Sequence, residues 1–188
     1  MLKEPIAILE GYRTPMGKMG GKLAKIDADI LGSFIVREVY QRYLDINDEI
    51  SEVIIGNVAQ PAHSANIARV IALRAGIDKK VPAFTVHRNC ASGIEAISSA
   101  ASKILSGKAE VILAGGVESM SNVPLLFRSE MKNFLEELMR AKNLVQKLQI
   151  ISKFRLKYLK PIIGLKLGLT DPVLSLIHIS EPTRPIRI

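Results

Sequence analysis

The residue with the most evident capacity for chemistry is Cys90, the one cysteine among 188 residues. It follows an apolar run over residues 81–86 and a short polar turn, and an amphipathic pattern begins at Ala91. Aromatic and β-branched residues predict a buried strand for the run, and three- and four-residue spacing of apolar residues predicts a helix after the turn. The order of strand, sharp turn and helix would present the thiol at the start of the helix.

A thiol at the start of a helix has a physical reason to react. The first backbone N–H groups of a helix lack intrahelical partners, and the peptide dipoles place partial positive charge there. Both effects stabilise a thiolate, which is the nucleophilic form of cysteine. The alternative is that Cys90 is a small buried side chain without reactivity, as many free cysteines are.

The elements that must position Cys90 alternate along the chain. Strands are predicted at residues 5–9, 53–55, 81–86 and 110–114, and helices at residues 29–44, 64–75 and 91–105. The last helix has an apolar face formed by Ile94, Ile97, Ala101, Ile104 and Leu105. This βαβαβαβ order predicts an α/β fold with a mainly parallel sheet.

Three blocks of sequence resemble the thiolase family. They are RNCASG at residues 88–93, GYRTPMG with GGKL at residues 11–23, and AGGVESMS at residues 114–121. The glycine-rich block at residues 11–23 could also suggest a phosphate cradle, but its spacing favours a structural loop. The resemblance runs from about residue 5 to residue 173, and it covers the N-terminal half of a thiolase. Residues 159–161 and 168–173 are similar to the β subunits of fatty-acid oxidation complexes.

The resemblance implies acyl transfer between thiols. Cys90 would attack a 3-oxoacyl-CoA and carry the acyl group, with coenzyme A as a substrate and with no bound cofactor or metal. In thiolases the activating histidine, a second cysteine and part of the oxyanion site lie in the C-terminal half, so this chain alone is expected to be inactive. The alternative function is a non-catalytic module of thiolase ancestry that binds acyl-CoA or lipid.

The positive charge of the chain is concentrated in one segment. Between residues 128 and 167 there are ten Lys and Arg against three Glu, within a net charge of +8 for the whole chain. A basic amphipathic helix over residues 131–158 could be a plain surface helix, could meet the phosphates of CoA, could lie on an anionic membrane or could dock a partner subunit. Sparse aromatic residues argue against a nucleic-acid partner. The family resemblance implies a homo-oligomer and a β-oxidation α subunit as partners.

Composition changes divide the chain into three predicted parts. Residues 1–121 are predicted to form the α/β domain, and residues 174–188 are predicted not to be native. The family resemblance implies that residues 122–173 are part of a helical, lysine-rich CoA-binding loop domain. The sequence LSLIHISEPTR at residues 174–184 resembles translated sequencing adapter, so the reading frame is expected to leave the gene near residue 173. The alternative is a native C-terminal tail of variable sequence. A single cysteine and an N-terminus without a signal-peptide pattern favour the cytoplasm, with the mitochondrion as the open alternative.

Overall fold

The computed structural model describes residues 5–43 and 49–163. The chain divides into two compact units, residues 1–123 and residues 124–188. The segment predicted to be adapter, residues 174–188, lies outside the described residues, as does the family-like stretch at residues 168–173.

The first unit is a parallel sheet with helices between its strands. In chain order the described elements are α1 (Ala28–Arg42), β1 (Ile50–Gly56), α2 (Ile67–Ala75), β2 (Ala83–Val86), α3 (Ser92–Leu105) and β3 (Val111–Gly116). Strand β1 lies between the other two, and both pairings are parallel, with Val53 opposite Ala83 on one side and Leu113 on the other. The predicted α/β class and mainly parallel sheet are therefore confirmed.

Strand β1 is buried on both faces, which explains its continuous apolar run. On one face Val53 packs in a cluster with Ile67 and Ile71 of α2. On the other face Ile54 packs against Ala96 and Ala100 of α3. The helices are therefore on opposite sides of the sheet, and the end of β1 is fixed between them.

Two expectations for this unit are wrong. Residues 5–9 form no strand, and Ile8 is 85% exposed, so the run gains neither ladder hydrogen bonds nor burial. The apolar face predicted for α3 is also not the face against the sheet, because Ile94 and Ile97 are 65% and 48% exposed. The alanine face packs there instead, since small residues allow the helix to approach the strands closely.

The second unit contains α4 (Ser129–Arg140), α5 (Leu144–Ser152), a short 3₁₀ turn and a two-stranded antiparallel pair, β4 (Leu125–Leu126) and β5 (Ile162–Ile163). The basic helix predicted over residues 131–158 is thus interrupted, because Ala141 and Asn143 adopt extended backbone angles. Within the described ranges, no helix has the length and apolar character needed to cross a membrane.

Candidate functional site

The turn between β2 and α3 forms the predicted elbow. Asn89 has a φ of +48°, a left-handed conformation that asparagine tolerates better than most residues. Two successive turns follow, in which the N–H of Ala91 donates to the carbonyl of Arg88 and the N–H of Ser92 to that of Asn89, each at 3.0 Å. The chain therefore reverses within the few residues that contain Cys90.

Ser92 fixes this turn from the first position of α3. Its buried hydroxyl accepts a hydrogen bond from the N–H of Arg88 at 2.8 Å and donates one to the carbonyl of Asn89 at 2.7 Å. The Arg88 guanidinium also pairs with the carboxylate of Glu95, one turn into the helix. These contacts were not predicted, although the serine belongs to the RNCASG block.

Cys90 itself is exposed on the elbow, two residues before the first residue of α3. The alternative of a small buried side chain is therefore wrong. His87, three residues before Cys90, is also exposed. Among residues 5–43 and 49–163 no hydrogen bond or ion pair involves its ring, so the elbow is held by Ser92 and the backbone.

Glycines at the ends of β1 and β3 bring the sheet against the elbow. A Cβ added at Gly56 would lie 2.3 Å from the carbonyl oxygen of Ser92, and one added at Gly116 would lie 3.1 Å from the Cα of Gly93. Only glycine, which has no side chain, allows the end of β1 to lie this close to Ser92. The position of Cys90 relative to the sheet therefore depends on two glycines far from it in sequence.

Glu118 joins the loops that follow β1 and β3. Its carboxylate accepts hydrogen bonds from the N–H groups of Val58 and Ala59 at 2.9 and 3.1 Å, and from the amide of Asn57 at 3.2 Å. The same amide donates to the carbonyl of Val117 at 2.8 Å. The AGGVESMS block thus has a structural function that its sequence did not reveal: it holds two strand-end loops together at the edge of the sheet that carries the elbow.

The first glycine-rich block contacts the same region. The N–H of Gly20 donates to the hydroxyl of Ser121 at 3.0 Å, while Ser119 and Asn122 donate to the carbonyl of Ile26. A turn within the block is closed by the N–H of Gly21 donating to the carbonyl of Lys18 at 2.8 Å. These contacts support the structural-loop interpretation of residues 11–23.

The second unit contains a basic cleft of about 210 Å³. It is lined by Arg128, Glu130, Lys157, Tyr158 and Lys160. Tyr158 makes a tilted ring contact with Phe134 and an edge-to-face contact with Phe154, with ring centroids 6.2 and 6.0 Å away. Three cations beside a single carboxylate suit an anionic ligand.

Comparisons with known proteins agree with these observations. The sequence profile of the family "Thiolase, N-terminal domain" matches residues 6–157. A probable acetyl-CoA acyltransferase of Staphylococcus epidermidis is 39% identical over 148 residues, which cover 76% of this chain and 38% of that protein. A 3-ketoacyl-CoA thiolase of Pseudoalteromonas translucida is 34% identical, with coverages of 95% and 44%.

A solved structure is also similar. The crystal structure of the Bacillus anthracis acetyl-CoA acetyltransferase superposes with a TM-score of 0.68 at 32% identity, over 86% of this chain and 36% of that one. The chain spans less than half the length of the relatives named here. It belongs to the thiolase family, and its match lies in the N-terminal domain of that family.

Proposed function

We propose that this chain is the nucleophile-bearing part of an acyltransferase that cleaves 3-oxoacyl-CoA, or forms it in reverse, through an acyl-enzyme at Cys90. The observation that carries the proposal is the exposure of Cys90 on a sharp turn at the start of α3. The relatives called acetyl-CoA acyltransferase and 3-ketoacyl-CoA thiolase support the same class of reaction.

In the first step the Cys90 thiolate attacks the 3-oxo carbon of the substrate, and the bond between C2 and C3 breaks. The electron pair of that bond leaves on C2 and is protonated, which releases acetyl-CoA and leaves a thioester on Cys90. The thiol of a second CoA then loses its proton and attacks the thioester carbonyl. This step forms the shortened acyl-CoA and returns the Cys90 thiolate.

The described residues supply the nucleophile and its placement. Cys90 lies exposed just before the start of α3, and the hydrogen bonds of Ser92 hold the turn that carries it. By resemblance, the activating base, the acid and the remaining oxyanion donor belong to another part of the enzyme. The exposed side chains of Ile94 and Ile97 offer an apolar surface on α3, and we assign it to packing against that part.

The decisive experiment compares Cys90→Ser with Ser98→Ala, an exposed position on the same helix, in a protein that joins this chain to the missing catalytic part. Cys90→Ser is expected to lower thiolysis by several orders of magnitude, because the nucleophile is lost, whereas Ser98→Ala should leave it unchanged. Mass spectrometry of the unmutated protein should locate the acyl group on Cys90. Retention of turnover by Cys90→Ser would contradict the proposal.

A companion measurement uses the 188-residue chain alone. We expect no appreciable thiolysis of acetoacetyl-CoA, because one nucleophile without its base does not turn over. Cys90 should nevertheless be alkylated by iodoacetamide, because its side chain is exposed. Thiolysis at ordinary enzyme rates by this chain would show that the base and the acid do not lie in another part of the enzyme.

The cleft of the second unit is proposed as the contact for the phosphates of CoA. Arg128, Lys157 and Lys160 place three cations around it. Substituting Lys157 by glutamine should weaken CoA binding, whereas Lys147→Gln on α5 should not. Equal CoA affinity for both variants would remove the cleft from the substrate site.

Other surfaces of the second unit suit a larger partner. Met139, Leu144 and Val145 are 86%, 74% and 65% exposed in a segment rich in lysine. This combination favours contact with an anionic membrane surface, and the resemblance adds a homo-oligomer and a β-oxidation α subunit as proposed partners. Flotation with anionic and neutral vesicles tests the membrane contact, and we expect binding only to the anionic vesicles.

A further inference from the structure

A second group of chemically capable side chains lies at the start of α1, outside the elbow. Asp29 is fully buried, and its Oδ2 lies 3.3 Å from Nη2 of Arg74. Its Oδ1 lies 3.6 Å from Nε2 of His63. Within the described part of the chain, neither carboxylate oxygen accepts a hydrogen bond.

This arrangement leaves an ionisable side chain incompletely satisfied. Buried polar atoms nearly always have hydrogen-bond partners, and an exception commonly marks the position where a water or an ion binds. The separation of 3.6 Å between Nε2 and Oδ1 exceeds the usual N–H···O range of about 2.7–3.2 Å. It is close to the spacing of about 3.4 Å expected for two ligands bound tetrahedrally at about 2.0–2.1 Å from one ion.

Asp27 provides a third donor. It occupies the N-cap position of α1, where an aspartate ordinarily accepts a hydrogen bond from the first turn, but its side chain makes no such bond. One ligand atom from each of Asp27, Asp29 and His63 lies within 4.8 Å of the other two. Asp27 and His63 are accessible enough for small rotations to close these distances.

We propose that Asp27, Asp29 and His63 bind a divalent transition-metal ion of the Zn²⁺ type. An imidazole nitrogen favours such ions over Mg²⁺ and Ca²⁺, which prefer sites built from oxygen alone. The two carboxylates balance the charge of the ion, and Arg74 keeps its contact with the other oxygen of Asp29. The ion would tie the start of α1 to the loop between β1 and α2, and the half-exposed ring of His63 leaves room for water as a further ligand.

The test measures Zn²⁺ binding by calorimetry in the full 188-residue chain. All proteins carry Cys90→Ser, because a free thiolate would bind zinc by itself. His63→Ala and Asp27→Asn remove accessible ligands without disturbing the core, and His87→Gln is the control because it removes an exposed histidine elsewhere in the first unit. Titration with Co²⁺ adds an absorption spectrum that reports the ligand geometry, and circular dichroism checks that each variant folds.

The proposal predicts one saturable site in the Cys90→Ser background and in the His87→Gln control. His63→Ala and Asp27→Asn should each weaken binding by more than about 10-fold, the lower end of the loss caused by residues that merely support a ligand. Absence of saturable binding, or equal affinity in all variants, would overturn it. The group would then be an aspartate–arginine–histidine ion-pair network only.

Discussion

Replacing Gly56 by alanine is expected to destabilise the first unit and to displace the turn that carries Cys90. The new Cβ would lie 2.3 Å from the carbonyl oxygen and 2.4 Å from the carbonyl carbon of Ser92. Ordinary contacts at a Cβ are 3.4–4 Å, so the helix start and the strand end must separate by about 1 Å. The obstructing atoms are backbone atoms, which cannot rotate away as a flexible side chain would.

The expected cost is about 3 kcal/mol, the upper end of the usual range for overpacking. In a chain of this length that corresponds to a fall of roughly 6–12 °C in Tm. Urea denaturation followed by circular dichroism measures the free energy of unfolding, and iodoacetamide reactivity reports the displacement of Cys90.

Gly115→Ala is the matched control for this experiment. Gly115 is the neighbour of Gly116 in β3, and a Cβ added there would meet nothing within 4 Å. Its substitution should be neutral or slightly stabilising, because alanine restricts the unfolded chain. If Gly56→Ala were within about 0.5 kcal/mol of this control, the argument that a glycine is required for the close approach would be refuted.

Three further predictions concern the contacts around the elbow and its loops. Ser92→Ala should lower the free energy of unfolding in urea by about 1–2 kcal/mol, since two hydrogen bonds in the turn are lost. Glu118→Gln should cost about 2 kcal/mol in the same assay, because an amide group replaces a carboxylate that accepts three hydrogen bonds. The nearby hydroxyl of Tyr12 and the hydrogen bond that Tyr43 donates lower the pKa of the Glu10 carboxyl. Its contribution to stability should therefore be complete above the ordinary glutamate pKa near 4.5 and be lost as the pH falls through the lower folded value, which an NMR titration of the Glu10 carboxyl can follow.

The sequence predicted the features that depend on local pattern. The alternation of strands and helices and the elbow at Cys90 follow from residue spacing over a few turns, and the structure has them. Spacing alone does not say which face of a helix meets the sheet. In α3 the alanines pack inward and Ile94 faces outward, because the close approach at Gly56 leaves no room for large side chains.

Contacts between distant segments could not be predicted from spacing. Glu118 binds backbone groups about 60 residues away, and His63 meets Asp29 only because α1 packs beside the loop that precedes α2. Neither pair forms a recognisable motif in the sequence. The break after α4 escaped prediction for a different reason, since the apolar periodicity continues through Ala141 and Asn143 although their backbone is extended.

The left-handed backbone at Asn89 limits which residues can precede Cys90. For most L-amino acids this conformation raises the free energy by roughly 1–2 kcal/mol, and β-branched residues tolerate it least. If position 89 were randomised and folded variants were selected, glycine, asparagine and aspartate should dominate the survivors. The chirality of the amino acids themselves would then restrict how an engineer could vary the surroundings of the thiol, whatever substrate was intended for it.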